Sequence, residues 1–419
     1  MDINKLLQGV QCECGKFHTC DIKYVYIESG AINRLTELCR DCNNILLVAD
    51  ENTFSAAGDA VSKTLEGKNI SKVLFSGKEI LVPNEKAIET VTANLGDAEI
   101  IIGIGSGVIQ DLCKYVSFYN KVPYMIVATA PSMDGYASTG AAMITDGMKV
   151  TYAAGLPTAI IGDVDVLKDA PIEMIKAGYG DIIGKYSALN DWKLSRLING
   201  EYFCDYIYNV TYDQIKATLN LADGILKRDE NSIKALMEAL VVIGIMMSFA
   251  GSSRPASGSE HHLSHFFEIT GIINNEEYFS HGIDVGFSTV KTQEIREIIL
   301  KTPVENKIFR LSDAEYRNKM EKIYKSVASG CIELQEKVGN YKADRLKVYL
   351  ENEKEIKAIL SEVPTAEEIK DMLGLVNLDM NDFYNLYGEQ KIKDAISYAK
   401  DLKDRYTVLW LYYDLMGEF

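Results

Sequence analysis

Histidine is scarce in this chain, five residues in 419, and the scarcity makes its placement informative. Four of the five, His261, His262, His265 and His281, fall in two neighbouring segments. Positive charge is also short: 44 Lys and Arg stand against 60 Asp and Glu, a net charge of −16. That field argues against nucleic acid or anionic membrane as partners, so an anionic ligand needs a locally positive site. Long apolar runs are missing too. No stretch approaches the ~20 apolar residues of a membrane span. The longest, Ala239–Gly251, follows a charged stretch and is expected to be a buried helix. The N-terminal MDINKLLQGVQCECGK lacks the apolar core of a signal peptide, so the expected compartment is the cytoplasm and no membrane insertion is expected.

What is present is an ordinary globular balance, 47% apolar and 25% charged, in a chain long enough for two domains. From Tyr24 to Thr129, strand and helix signals alternate. The continuous apolar run Ile45–Asp50 predicts a strand buried on both faces. Further strands are expected at Lys72–Ser76, Glu99–Ile104 and Tyr124–Thr129, with helices at Ala31–Cys42, Thr53–Glu66, Asn84–Leu95 and Val108–Tyr119. This order predicts an α/β nucleotide-binding domain with a parallel, Rossmann-like sheet over residues 1–170. Ala141–Thr145 and Lys149–Ala153 read as a hairpin around Asp146-Gly147. Residues 171–419 read as an all-α metal- and substrate-binding domain, with helices that include Ile182–Ile198, Asn231–Phe249, Glu260–Thr270 and Gly282–Leu300. The boundary is expected near Asp169–Gly178, and the last ~80 residues read as amphipathic helices without a site.

Eight cysteines in so long a chain do not make a disulfide framework. Cys12, Cys14, His18 and Cys20 form a C-x-C-x3-H-x-C cluster and Cys39 and Cys42 a C-x2-C; the spacing matches no common zinc module, so reduced thiols are expected, with a structural zinc as the alternative.

Four motifs carry chemistry. In IIIGIGSGVIQDLCKY an apolar strand runs into Gly103, Gly105, Ser106 and Gly107 and then a helix. Such a turn lets backbone amides approach a phosphate, or is a tight turn without a ligand. ATAPSMDGYASTGAAM follows the next strand and offers Thr129, Ser132 and Asp134. Asp50 ends its strand and suits either a ribose hydroxyl or a helix N-cap. Asp181 in AGYGDIIGKY is expected in the first turn of a helix, either as a metal ligand or as an acid complementing the helix dipole. His261 and His265, four apart, share a helix face, and His281 opens another helix. Two imidazoles and a carboxylate leave positions open for substrate, as a catalytic metal requires.

GIGSGVIQDLCKY, TAPSMDGYAS, GYGDIIGKY and SGSEHHLSH, followed by a later HG, together resemble the sn-glycerol-1-phosphate dehydrogenases. These belong to the metal-dependent polyol dehydrogenase and dehydroquinate synthase superfamily. The resemblance runs from about Tyr24 to Gly286. It implies an active site in the cleft between an α/β and a helical domain. It implies that Asp181, His261 and His281 bind one divalent metal, zinc or nickel. Gly103, Gly105, Ser106, Gly107, Thr129, Ser132 and Ser138, with Asp50, would bind NAD(P). Asp134, His265 and Asp181 would contact substrate. His262 beside His261 is a second possible ligand, but His261 keeps the four-residue spacing to His265.

The implied reaction is reduction of dihydroxyacetone phosphate by NAD(P)H to glycerol 1-phosphate, a step in phospholipid synthesis, with either His265 or a bound water as proton relay. Arg254 and Lys185 flank the ligand motifs and are the expected partners of the substrate phosphate. Competing readings are a dehydrogenase of glycerol or another unphosphorylated polyol, a dehydroquinate-synthase-like cyclase, and a non-catalytic NAD-binding protein. A homodimer is also expected.

Overall fold

The computed structural model describes residues 2–419. An N-terminal pair of two-residue strands, β1 (Val10–Gln11) and β2 (Phe17–His18), precedes the main sheet. That sheet has six parallel strands: β3 (Tyr24–Glu28), β4 (Asn44–Asp50), β5 (Asn69–Phe75), β6 (Ile100–Gly105), β7 (Tyr124–Ala128) and, after a hairpin of β8 (Gly140–Thr145) and β9 (Met148–Ala153), β10 (Ala159–Asp163). Their order is β3-β10-β7-β6-β4-β5. The parallel α/β sheet expected from the sequence is therefore observed.

The central strands β4, β6, β7 and β10 are apolar in their interiors because both faces are covered. Leu47, Ile102, Val127 and Ile161 pack on one side, and Leu46, Val48, Ile101 and Tyr124 on the other. From β4 the chain goes outward to β5, then returns to the other side of β4 as β6. This order reversal is a topological switch point, where ligands bind at the carboxyl ends of the strands. Asp50 and the Gly103–Gly107 turn stand on either side of it.

Several boundaries differ from expectation. The helix expected over Ala31–Cys42 is a 3₁₀ turn, Ala31–Arg34, and one α-turn, Leu35–Leu38. The Asp41-Cys42-Asn43-Asn44 run has low helix propensity and cannot prolong it. Strand β5 begins three residues before the expected Lys72, at Asn69, where edge pairing with β4 overrides polar composition. Asp146 and Gly147 both take positive φ, 50° and 76°, as a hairpin of this type needs.

Beyond the sheet lie α1 (Gly107–Asn120), α2 (Ile172–Ile183), α3 (Lys185–Asn199), α4 (Glu230–Ala250), α5 (Ser259–Asn274) and α6 (His281–Lys301), followed by shorter helices. The chain divides into two compact units. One comprises residues 2–145, Lys149–Tyr179 and Lys216–Ser253; the other comprises Asp146–Met148, Gly180–Ile215 and Arg254–Phe419. Helix α4 thus belongs with the sheet. Among the described residues it is the one helix long and apolar enough to cross a membrane, yet 72% of its most apolar window is buried within the protein.

Candidate active site

In the first unit, the glycine turn is shaped by packing. A Cβ on Gly105 would lie 2.7 Å from Ile109 of α1, so only glycine lets strand and helix meet there. Gly107 differs: a Cβ there would meet only Met133, at 3.9 Å. Ser106 stands at the N-cap but its side chain makes no capping bond. The amino end of a 14-residue helix is thus left to other acceptors, which fits the phosphates of a dinucleotide.

The loop after β7 starts beside this turn, with the Thr129 amide donating to Gly105 O at 3.1 Å. Thr129, Ser132 and Asp134 are all buried, and Ser132 hydrogen-bonds the Tyr136 hydroxyl. Ser138 is tied inward. Its hydroxyl donates toward Gly135 O and accepts from Lys114 Nζ at 3.2 Å. Lys114 is fully buried and also donates to Asp111, Gly135 O and Gly140 O. Ser138, a cofactor contact by the resemblance, is thus held by hydrogen bonds within its own loop and to Lys114. Asp50 caps the short helix behind it, its Oδ1 accepting from the Asn52 and Thr53 amides at 2.9 Å.

The second unit carries the charged cluster. Asp181 sits in the last turn of α2, not in a first turn as expected, because the helix begins earlier, at Ile172, and breaks at Gly184 before α3. Complementing a helix N-terminus therefore cannot explain it. A Cβ on Gly180 would lie 2.5 Å from Gly282 O, so α2 and α6 touch backbone to backbone beside Asp181 and His281. One ligand atom from each of Asp181, His261 and His281 falls within 4.8 Å of the others. His261 Nε2 stands 3.7 Å from Asp181 Oδ1, close to the roughly 3.4 Å edge that a tetrahedral ion with ~2.1 Å bonds would span. The donor set and spacing fit a divalent cation.

The His261 ring is fixed from behind. Its Nδ1 lies 2.7 Å from Glu260 Oε1, which also accepts from the Gly258 amide at 2.8 Å. Nδ1–H must donate to the carboxylate, which turns the Nε2 lone pair toward Asp181. His262 points elsewhere. Both its ring nitrogens lack a partner among the described residues, and burial, then Arg405 and Lys403, hold it well below the ordinary imidazole value. His261 is thus the member of the doublet that reaches the cluster. The His265 ring lies 6.0 Å from that of His261 and 5.7 Å from that of His281.

Burial opposes the charge on Asp181, but Lys185, His281 and His261 outweigh it and hold the carboxyl below its usual range. Burial likewise opposes the charge on Glu260, and His261 and the Gly258 amide overcome it.

The two expected phosphate partners are placed otherwise. Lys185 is fully buried and donates to Asp181 Oδ1 at 2.6 Å and to Ala256 O at 3.0 Å. It neutralises the Asp181 carboxylate. Arg254 is buried against Glu201 through Nε and Nη2, and donates to Ser195 and to Tyr406 O. Its charge is matched by that carboxylate. A further cation beside these residues is Arg405, from the tail expected to hold no site. It donates to Ser257 O at 3.1 Å, and burial followed by the neighbouring Arg254 pushes it down to about 10.

A sequence model of the family described as "Iron-containing alcohol dehydrogenase" matches residues 26–171. Glycerol-1-phosphate dehydrogenase [NAD(P)+] of Halalkalibacterium halodurans is 34% identical over 288 residues, 67% of this chain and 72% of that protein. The enzyme of the same name from Geobacillus stearothermophilus is 28% identical over 415 residues, 97% of this chain and 96% of that protein. Among solved structures, an iron-containing alcohol dehydrogenase from Thermococcus thioreducens shares the fold at a TM-score of 0.60 and 14% identity, covering 91% of this chain and 92% of its own. A probable glycerol dehydrogenase from Sinorhizobium meliloti does so at 0.60 and 16%, covering 91% and 89%. By the extent of these matches, together with the motifs and the Asp181–His261–His281 cluster they share a chain with, the protein belongs to the glycerol-1-phosphate dehydrogenase family.

Proposed function

We propose that this chain catalyses the reversible, metal-dependent reduction of dihydroxyacetone phosphate by NAD(P)H to sn-glycerol 1-phosphate. The carrying observation is the convergence of Asp181, His261 and His281 with Glu260 behind His261. The names of relatives at 28–34% identity support the substrate. When bound, a divalent cation, zinc or nickel, supplies Lewis-acid polarisation of a carbonyl, and the nicotinamide supplies hydride.

The chain's own residues do the rest. The amino end of α1 and the Thr129–Ser132 loop hold the dinucleotide, with Asp50 toward a ribose. Asp181, His261 and His281 would hold the cation. Asp134 accepts from a substrate hydroxyl. As hydride arrives at C2, its oxygen gains a proton from His265, which regains one from solvent. Arg405, which donates to Ser257 O just before the helix of Glu260 and His261 and also faces Asp404 at 4.0 Å, is the cation we assign to the substrate phosphate. We place the enzyme in the cytoplasm and expect a homodimer.

The test is NADH oxidation by metal-loaded protein with dihydroxyacetone phosphate and, in parallel, with dihydroxyacetone. A strong preference for the phosphorylated ketone is expected. Preference for the unphosphorylated one would move the chain to the glycerol dehydrogenase reading, which the internal pairing of Arg254 and Lys185 favours.

A further inference from the structure

Outside the site above, a second group of metal-ligating side chains lies in the first unit, at the N-terminus. The strands β1 and β2 pair Val10 with His18 and Gln11 with Phe17. The turn between them is closed by the Cys12 amide donating to Lys16 O and the Gly15 amide to Cys12 O, both at 3.1 Å. Gly15 takes φ 84°, which lets the chain reverse directly after Cys14. The reversal brings three donors together. Cys14 Sγ lies 3.4 Å from His18 Nε2, the Cys14 amide lies 3.5 Å from Cys12 Sγ, and the three ligand atoms are mutually within 4.8 Å.

His18 is held as a ligand imidazole would be. Its Nδ1 lies 3.1 Å from Phe249 O, so Nδ1–H donates and the Nε2 lone pair faces the thiols. The ring is 2% exposed and stacks on Phe249 at 5.3 Å and 12°. Phe249 belongs to the last turn of α4, whose carbonyls lack helical partners, so the same bond satisfies an orphan acceptor. Cys20, grouped with these residues by spacing, stands apart: burial pushes its thiol up to about 11, and it hydrogen-bonds Ser248. Cys39 packs in the hydrophobic core under the sheet.

We propose that Cys12, Cys14 and His18 bind a structural zinc ion that pins the N-terminal hairpin to the end of α4. Two thiolates and an imidazole are the donors zinc takes in structural sites, and they supply three of the four bonds of its tetrahedron. Zinc entering displaces the two thiol protons, and no redox step is involved. The ion is distinct from the catalytic one, whose ligands are oxygen and nitrogen only.

That difference in donors makes the test specific. Full-length reduced protein is loaded with cobalt(II) and its absorbance recorded, and zinc content is measured by elemental mass spectrometry. Thiolate-to-cobalt charge-transfer absorption is expected in the wild type and in Asp181→Asn, and is expected to vanish in Cys14→Ser. Cys14 is exposed, so the serine variant leaves the core intact. Zinc content should fall by one equivalent per chain in Cys14→Ser, while turnover of NADH is kept. Wild-type protein that takes up cobalt without a thiolate band, or a Cys14→Ser variant with unchanged zinc content, would overturn the proposal.

Discussion

Glu260 and His261 are neighbours in sequence on one helix, yet their side chains bond to each other at 2.7 Å. The carboxylate is buried and held ionised by the imidazole it faces. Removing its charge takes away the acceptor that fixes the His261 tautomer and rotation. Glu260→Gln is therefore expected to weaken divalent-metal affinity by roughly 10–100-fold, the usual scale for such outer partners. Competition titration against a metal-binding dye would read it, and activity at saturating metal should largely recover. Unchanged affinity would show that His261 needs no such support.

Variants of Arg254 and Arg405 test the proposed division between a structural and a phosphate-binding cation. Arg254 is buried and paired with Glu201, so Arg254→Ala leaves a carboxylate partly uncompensated. The expected loss is about 2–3 kcal/mol of stability, below the range for fully buried pairs because Glu201 is part-exposed. Thermal unfolding should show it, with little change in the ratio of KM values for phosphorylated and unphosphorylated ketone. Arg405→Ala should do the reverse, raising KM for dihydroxyacetone phosphate by about 10-fold or more, as loss of a charged hydrogen bond implies. If both ketones respond equally, Arg405 does not meet the phosphate.

The architecture was legible because its signals are local. The apolar run of β4 and the glycine turn after β6 announce a doubly covered sheet, and the histidine cluster announces its own site. What was not legible depends on pairing at a distance. Nothing near Arg254 in sequence reveals Glu201, and nothing near Ser257 reveals Arg405, which arrives from a tail with ordinary amphipathic helices. Lys185 was visible as a cation four residues from Asp181, but it was expected to face the substrate phosphate and is instead bonded to that carboxylate. Glu260 was the nearer miss: an acid directly before a ligand histidine is a signal that spacing rules for metal ligands overlook.

Gly180 sets the distance between α2 and α6. A methyl there would meet Gly282 O at 2.5 Å, and backbone cannot rotate away as a side chain can. Gly180→Ala should cost about 1–3 kcal/mol, the scale of overpacking, and shift Asp181 from His281. The expected outcome is lower metal affinity together with a lower unfolding temperature. Loss of stability with metal affinity kept would mean that the ligands adjust independently of the helix contact.

Lys185 controls the charge state of Asp181. Burial alone would raise the Asp181 pKa, and Lys185 is the largest force opposing it, followed by His281 and His261. With the folded value lowered, the carboxylate's contribution to stability is present above its unfolded pKa, near 3.9, and is lost as pH falls through the lower folded value. In Lys185→Met the balance reverses: burial wins, the folded pKa rises, and a proton competes with the cation at higher pH. Metal affinity measured at about pH 8 and about pH 5 should therefore fall more steeply in the variant than in the wild type. The other ligands are the same in both proteins, so the difference between the two slopes isolates Asp181. Equal slopes would mean that the buried lysine positions the carboxylate without setting its ionisation.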